Sequence, residues 1–478
     1  MELGKISFGH NLIQQKFAVN KATGLDNAVY VQTQPEQQIQ QNVPVNSYQA
    51  NFCPYIDNNK TYTKLENKVI DGKEYNQYRL NNGTVLLLKN IPELKNVRVS
   101  TGITPDKSLF KNNTEEHLFE HMFCGNNQPV SVGFNNGGKF VSLNDGPKGQ
   151  QVCFDVVTSD DDLKSVIEEQ TKVFYQSDFS PEIFDREKQA LNIELAIKTK
   201  PFGNREEIDS IDLNHLRQIR NQSVKSNNME IMVEGNINPD ELTEQISTSS
   251  VNINPKDVVQ LQDVTFQNGQ VSKSQTTSIS ISKNYTKPEN MDEVTFQTTL
   301  EAIKLLSVFS DKTDFNNKTR SLCYGGNARV EKNDQGYSIV YDNETLNDMK
   351  SQLETLSQEN IDLINSKPFT EQDVENVKQF IKNAPDYMFS DYLVHEGRKQ
   401  AVLDNIDNLT LENINSVIEN SKNNASSIQE PKRTYIPSSE GVVVKDMVED
   451  NEEVTQVLAN ADRTEKEITQ LLSSCKAY

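Results

Sequence analysis

Cationic residues and long apolar runs are both scarce in this sequence, and each shortage excludes a class of protein. Lys and Arg total 48 of 478 residues against 69 Asp and Glu, so the formal net charge is −21. Such an acidic chain argues against nucleic acid and anionic membranes as main partners, and it is compatible with basic peptides. No window approaches the apolar length of a membrane span, and Met1 to Asn20 contain no long apolar run after a basic start. We therefore expect a cytoplasmic location.

Cysteine is also rare. The five cysteines are an odd number and are widely scattered, at Cys53, Cys124, Cys153, Cys323 and Cys475. This pattern predicts reduced thiols rather than a disulfide framework. Cys124 lies beside the motif described next, where we expect it to pack rather than to act as a nucleophile.

Histidine is equally rare, yet two of the five histidines fall in one pentapeptide, His117-Leu118-Phe119-Glu120-His121. It reads H-x-x-E-H, and residues four apart lie on one face of a helix. Two imidazoles on one face can share a tetrahedral metal ion, for which zinc is the usual occupant. Glu120 faces the same side, where a carboxylate can take a proton from a water that the metal activates. This order is an inverted zinc-peptidase signature; the alternative is a helix with two ordinary histidines and an exposed glutamate.

A zinc site needs a third protein ligand, and Glu194 is the best candidate. Pro181 suits the first turn of a helix that continues through an acidic segment to Leu195. Glu187 and Glu194 are two helical turns apart and share one face, so one carboxylate can bind a metal while the other orients the site from behind. From spacing alone, a solvated charged face is the commoner interpretation of such a pattern.

Taken together, the motif and the two glutamates resemble the pitrilysin–insulinase family of zinc peptidases. The interval from His121 to Glu194 is close to the spacing in that family. Tyr78 to Val85 resembles the opening strand of the family, and Met229 to Ile237 resembles the strand that closes its first domain. By analogy, the resemblance extends from about residue 75 to about residue 435.

The resemblance implies an α/β (α+β) fold of two homologous domains, each a mostly antiparallel sheet packed with helices, which together form half of a clamshell. Low hydrophobic content, 35%, and abundant Asn and Gln predict polar, partly disordered length outside these domains. The expected divisions are a polar N-terminal extension (1–65), a catalytic domain (66–248), a linker (249–275), a homologous non-catalytic domain (276–437) and an acidic C-terminal helical extension (438–478).

The second half departs from the substrate motif of the family, which places an arginine seven residues before a tyrosine. Tyr324 matches the tyrosine, but Asn317 occupies the position of the arginine, and Arg320 lies four residues before Tyr324. Tyr324 and Arg320 are therefore the expected substrate-binding residues, with ordinary packing at a strand start as the alternative. A second departure is Val141-Ser142, which stands where the family usually has Asn-Ala in the edge strand that contacts the substrate.

The function implied by the resemblance is a zinc-dependent endopeptidase that hydrolyses peptides or unfolded segments. The substrate is expected to add a strand at an exposed edge, Lys139 to Asp145. Two alternatives stay open: a degenerate, non-catalytic subunit of a two-chain peptidase of the same family, and a scaffold protein whose motif is accidental. The expected roles are zinc ligation by His117, His121 and Glu194, proton transfer by Glu120 and support of the site by Glu187.

Family members of this length carry two homologous domains, whereas a closed chamber in that family needs four. The resemblance therefore implies a homodimer, or a heterodimer with a related chain. An apolar stripe at helical spacing runs from Val454 to Leu472 and predicts a helix docked on its own protein.

Overall fold

Two sheets, separated along the chain by a long irregular segment, organise the computed structural model. The structure describes residues 61–446 except for 126–127, 146–151, 160–161, 198–202, 253–257, 325, 334–335, 396, 430–432 and 439–440. Most of the polar N-terminal extension and the apolar stripe from Val454 to Leu472 therefore lie outside the described residues.

The first sheet has eight strands, with the order β1-β3-β4-β8-β5-β7-β6 and with β2 paired to β3. The pairs are antiparallel except for β4 with β8, which is parallel. The run Leu86-Leu87-Leu88 is buried on both faces, because Leu86 and Leu88 face the main core and Leu87 packs with Tyr75 and Met232 on the other side. This explains why the run does not alternate with polar residues. The strands are β1 (Tyr62–Lys64), β2 (Lys68–Ile70), β3 (Lys73–Leu80), β4 (Val85–Asn90), β5 (Val97–Ile103), β6 (Phe140–Asp145), β7 (Val152–Thr158) and β8 (Met229–Gly235).

Seven helices accompany this sheet in the described residues, and the apolar faces of all except α2 form one core with it. The helices are α1 (Asn113–His121), α2 (Pro129–Asn135), α3 (Leu163–Gln176), α4 (Pro181–Ile197), α5 (Arg205–Ser210), α6 (Leu213–Ser223) and α7 (Pro239–Ser247). Strand β6 is the last in the order of the sheet, as predicted for the edge strand at Lys139 to Asp145. The sheet begins at Tyr62, slightly before the predicted domain start at residue 66.

The second sheet is antiparallel, with the order β10-β11-β9-β12. Its central helix, α8, is buried almost all round, from Phe296 to Val308. The strands are β9 (Thr276–Tyr285), β10 (Ala328–Asn333), β11 (Gly336–Leu346) and β12 (Ser426–Gln429). The helices are α8 (Glu293–Phe309), α9 (Phe315–Lys318), α10 (Lys350–Asn365), α11 (Glu371–Asn383), α12 (Asp391–His395), α13 (Lys399–Asn405) and α14 (Leu411–Ser421).

A hairpin of β13 (Arg433–Ser438) and β14 (Gly441–Asp446) follows the second sheet. This hairpin precedes the helix predicted at Val454 to Leu472, which lies outside the described residues. The run Val442-Val443-Val444 explains the second strand of the hairpin, because β-branched residues favour strands.

The second part of the chain packs against α2 and β6 of the first. The Asn316 amide donates to Ser131 Oγ at 3.1 Å, and Phe134 lies in the core of the second part. Gly138 has a φ of +71°, and a Cβ there would lie 2.1 Å from the Asn376 carbonyl oxygen. Only glycine permits so close an approach. This interface brings the segment that follows α8 next to the motif helix.

The predicted fold class is confirmed: the chain is a mixed α/β protein whose sheets are mainly antiparallel and packed with helices. In the part that the structure describes, no helix combines the length and apolarity needed to cross a bilayer. The other predicted domain boundaries, the homology of the two domains, the half-clamshell and the cytoplasmic location stay predictions.

Candidate metal centre

The H-x-x-E-H motif lies on α1. A capping residue explains where this helix begins, and its buried apolar residues explain which side faces the core. The Asn112 side chain caps it by accepting a hydrogen bond from the Glu115 amide at 2.9 Å. Leu118 and Phe119 are fully buried, and the Phe119 ring packs edge-on against Phe179. Because these residues hold one side of α1 in the core, the imidazoles are presented on another face.

Helix α4 carries both glutamates towards α1. Pro181 begins the helix, and the Ser180 hydroxyl accepts a hydrogen bond from the Ile183 amide at 3.3 Å. Glu187 and Glu194 are both fully buried, so they do not form the solvated charged face that their spacing also permits. A buried carboxylate is costly unless a cation or hydrogen-bond donors compensate it.

The three predicted ligands converge. One donor atom from each of His117, His121 and Glu194 lies within 4.8 Å of the other two. Glu194 Oε2 is 3.6 Å from His117 Nε2 and 3.4 Å from His121 Nε2. Zinc ligands at about 2.0–2.1 Å from a tetrahedral ion lie about 3.3 Å apart, so this donor set fits zinc in both chemistry and spacing.

Glu187 lies behind His121, on the side away from Glu194. Its Oε2 is 3.3 Å from His121 Nδ1, while Nε2 of the same ring faces Glu194. In the tautomer whose Nδ1–H donates to Glu187, the Nε2 lone pair faces the metal position, as in many metal sites. Burial lowers the pKa of His121, but its hydrogen bonds to Glu187 and Glu194 outweigh burial and leave that pKa raised.

Two arginines hold Glu187. Arg186 Nε donates to Oε1 at 2.9 Å, and Arg320 donates to Oε2 from Nε at 3.1 Å and from its terminal nitrogen at 2.8 Å. Burial would raise the pKa of Glu187, but the Arg320 guanidinium and the His121 imidazole lower it to about 2. Glu187 is therefore ionised, and charge-assisted hydrogen bonds restrain both of its oxygens.

Tyr324 lies beside the same group of residues. It is 44% exposed, and its ring centroid is 6.0 Å from the Arg320 guanidinium carbon. Burial of the hydroxyl and the nearby Glu194 carboxylate raise its pKa. The structure thus places both expected substrate-binding residues at the candidate metal centre.

Glu120 lies on α1 directly before His121 and is half-buried. It is near enough to Tyr324 and Cys124 to interact electrostatically with both. A partly accessible carboxylate next to the metal position can exchange protons with a water or a substrate there.

His215 and the three described cysteines do not belong to the candidate ligand set. His215 Nδ1 lies 2.8 Å from Glu115 Oε1, so this histidine supports the beginning of α1. Burial and Glu187 raise the pKa of Cys124 to about 12, which keeps the thiol protonated. Cys124, Cys153 and Cys323 are free thiols, as predicted; His10, Cys53 and Cys475 lie outside the described residues.

Sequence reasoning missed the contact between Arg320 and Glu187, which are 133 positions apart. The resemblance to the peptidase family predicts Arg320 only as a substrate-binding residue. The contact between Arg186 and Glu187 was also missed, although the two residues are neighbours in the sequence. Adjacent side chains on a helix point in different directions, so the sequence provides no reason to expect a bond between them.

No protein-family model and no curated protein sequence matches the chain. Among solved structures, the chain is similar to a protease from Helicobacter pylori, with 12% identity, a TM-score of 0.33 and coverage of 75% of this chain and 99% of that one. It is similar to pitrilysin, with 15% identity, a TM-score of 0.35 and coverage of 81% and 49%. It is also similar to an inactive peptidase domain from Pseudomonas fluorescens, with 13% identity, a TM-score of 0.31 and coverage of 72% and 94%. TM-scores this low decide neither the family nor the function.

Proposed function

We propose that the chain is a zinc-dependent endopeptidase acting on peptides or unfolded polypeptide segments. The observation that carries this proposal is the convergence of two imidazole nitrogens and a buried carboxylate within 4.8 Å, with Glu120 on the same helix as both histidines. The donor set suits zinc, and three protein ligands leave a fourth position for chemistry, as in catalytic rather than structural zinc sites.

His117, His121 and Glu194 would hold the ion. When bound, zinc supplies a water of lowered pKa and polarises the carbonyl oxygen of the scissile bond. Glu187 orients the His121 ring through Nδ1, so that Nε2 keeps its direction. The buried, arginine-bound state of Glu187 makes it a supporting group rather than a proton carrier.

Glu120 moves the protons. A carboxylate oxygen of Glu120 takes a proton from the attacking water as the water oxygen bonds to the scissile carbonyl carbon. The same oxygen then gives that proton to the leaving amine nitrogen when the C–N bond breaks. Its partial exposure leaves Glu120 accessible to a peptide, unlike Glu187.

The substrate would lie along β6, where a peptide strand can extend the first sheet by pairing with backbone groups. Tyr324 would contact the bound peptide near the scissile bond. The excess of acidic residues would favour basic peptides.

We propose a clamshell-like dimer, formed with a second copy or with a related chain, that encloses the substrate. A pairing of like chains would give a two-fold, isologous interface. Sedimentation at micromolar concentration is expected to show a dimer. A strict monomer that still cleaves short peptides would refute the closed chamber and leave the zinc site intact, whereas an inactive monomer would indicate that a related chain is missing.

The test of the catalytic proposal is cleavage of an unfolded polypeptide by the purified full chain. Zinc-loaded protein is expected to cleave internal peptide bonds, a chelator is expected to stop cleavage, and added zinc is expected to restore it. Cleavage that persists in a chelator, or a zinc-loaded dimer that cleaves none of a broad peptide mixture, would contradict the proposal.

One observation favours the alternative of a non-catalytic subunit. Val141 stands where the resembled family has an asparagine that contacts substrate, and its side chain is buried in the core of the first sheet. A buried valine offers a bound peptide no amide, so substrate binding along β6 would depend on backbone groups. A zinc-bound chain that cleaves only after a related chain is added would support this alternative.

A further inference from the structure

Arg320 belongs to the second part of the chain, and its side chain contacts Glu187 at the candidate metal centre. It is only 7% exposed, and Glu187 is fully buried. Two of its nitrogens bond the same oxygen, Glu187 Oε2, at 3.1 and 2.8 Å. Because both partners are buried, removing one of them leaves an uncompensated charge and costs far more than breaking a surface ion pair, which salt and solvent screen.

Glu187 Oε2 is also the oxygen that lies 3.3 Å from His121 Nδ1. The guanidinium and the imidazole therefore share this oxygen, and a terminal nitrogen of Arg320 also lies 3.2 Å from His121 Nδ1, while Arg186 bonds the other oxygen. A carboxylate held at both oxygens cannot rotate freely, and it holds the imidazole in the orientation that directs Nε2 to the metal position. Such supporting contacts commonly govern metal affinity.

We propose that Arg320 is a positioning residue for zinc: by fixing Glu187 and hence His121, it couples the zinc affinity of the first part to the docking of the second part. This inference rests on the proposed zinc site. It assigns Arg320 to the metal centre instead of to the substrate, because two donor nitrogens are engaged inside the protein.

The segment that carries Arg320 is firmly held in the second part of the chain. The Thr319 hydroxyl donates to the Phe315 carbonyl at 2.8 Å, and Leu322 and Cys323 are buried in a small apolar cluster. Displacement of the second part would therefore withdraw Arg320 from Glu187, and the zinc site would lose one of its supports.

The experiment compares the zinc affinity of full-length variants, measured with zinc alone against a chromogenic chelator. Arg320→Met is expected to weaken zinc binding by roughly 10- to 100-fold, the range for loss of a supporting contact. Arg320→Lys, which keeps the charge but loses the fork of donors, is expected to recover part of that loss. The matched control is Arg329→Met, which removes another ion-paired arginine of the second part, bonded to Glu331 and Asp342, and is expected to leave zinc affinity unchanged.

A double variant isolates the route through Glu187. If Arg320 acts through that residue, Arg320→Met adds little to the loss caused by Glu187→Gln, and the two effects are not additive. The double variant also removes both members of the buried pair, so it serves if Arg320→Met alone does not fold. Additive losses would overturn the inference.

Unchanged zinc affinity in Arg320→Met, with a raised KM, would also overturn the inference and would show that Arg320 binds substrate instead. The proposed function fails separately, if a zinc-loaded dimer of the wild-type chain cleaves no peptide; the affinity comparison then still decides the role of Arg320. A wild-type chain without zinc affinity would overturn both.

Discussion

The two parts of the chain surround a buried carboxylate with different side chains: a lysine in the second part and two histidines in the first. In the second part, Glu301 on α8 pairs with Lys304 one turn later at 2.7 Å, and both side chains are buried. In the first part, Glu194 faces the imidazole nitrogens of His117 and His121 at 3.6 and 3.4 Å. A lysine supplies the compensating cation within the fold, whereas the two imidazoles add donor atoms that suit a metal ion.

This contrast separates a structural charge from a functional one. Both sites lie on or beside a helix packed in a core, and both bury an acidic side chain. The second site is complete in its own residues, so substitutions there are expected to change stability without changing zinc binding. Substitutions at the first site are expected to change zinc binding, and those that break the buried pair of Glu187 and Arg320 are expected to lower stability as well.

The largest expected effect is on stability, from Lys304→Met. The substitution leaves the Glu301 carboxylate buried without its cation, and breaking a buried pair costs about 3–5 kcal/mol of unfolding free energy. Urea unfolding measures this, and zinc affinity is expected to stay unchanged. The control is Lys312→Met, whose partner Asp311 is largely exposed and whose loss is expected to cost less than about 1 kcal/mol. Equal costs for the two variants would contradict the contrast.

Glu120→Gln is expected to lower kcat by at least about 100-fold and to keep zinc, because the amide cannot accept the proton. Peptide cleavage and zinc content are measured on the same preparation. Glu116→Gln, one turn earlier on α1, is the matched control and is expected to retain activity. Cleavage by Glu120→Gln at the wild-type rate would show that Glu120 is not the base.

Glu187→Gln is expected to weaken zinc binding by about 10- to 100-fold, because the neutral amide is a poorer acceptor for His121 Nδ1–H. Glu182→Gln, an exposed position in the first turn of α4, provides the control. Chelator competition gives both affinities. If the two variants bind zinc equally well, Glu187 does not support the metal centre.

The smallest expected effect concerns charge. With a net charge of −21, the protein is expected to cleave a lysine-rich peptide a few-fold more efficiently than a neutral one of equal length at low salt. This preference is expected to fade as ionic strength rises from about 0.01 M to about 1 M, where screening shortens from about 30 Å to about 3 Å. A preference that is independent of salt would show that local contacts, and not the overall charge, select the peptide.

Much of the candidate centre could be predicted because its information is local. Periods of four and seven residues place the donors of α1 and α4 on single faces, and the structure brings these faces together. The pairing of Arg320 with Glu187 could not be predicted, since nothing in either segment specifies a contact across 133 positions. The C-terminal helix predicted at Val454 to Leu472 lies outside the described residues, and the valine run in β14 explains the strand that precedes it.

The most direct test of the account is elemental analysis of the full chain purified without chelator, beside its His121→Ala variant. The account predicts about one zinc per wild-type chain and none in the variant, because two remaining ligands hold the ion poorly. A wild-type chain without stoichiometric zinc, or a variant that keeps the wild-type amount, would contradict the proposed metal centre.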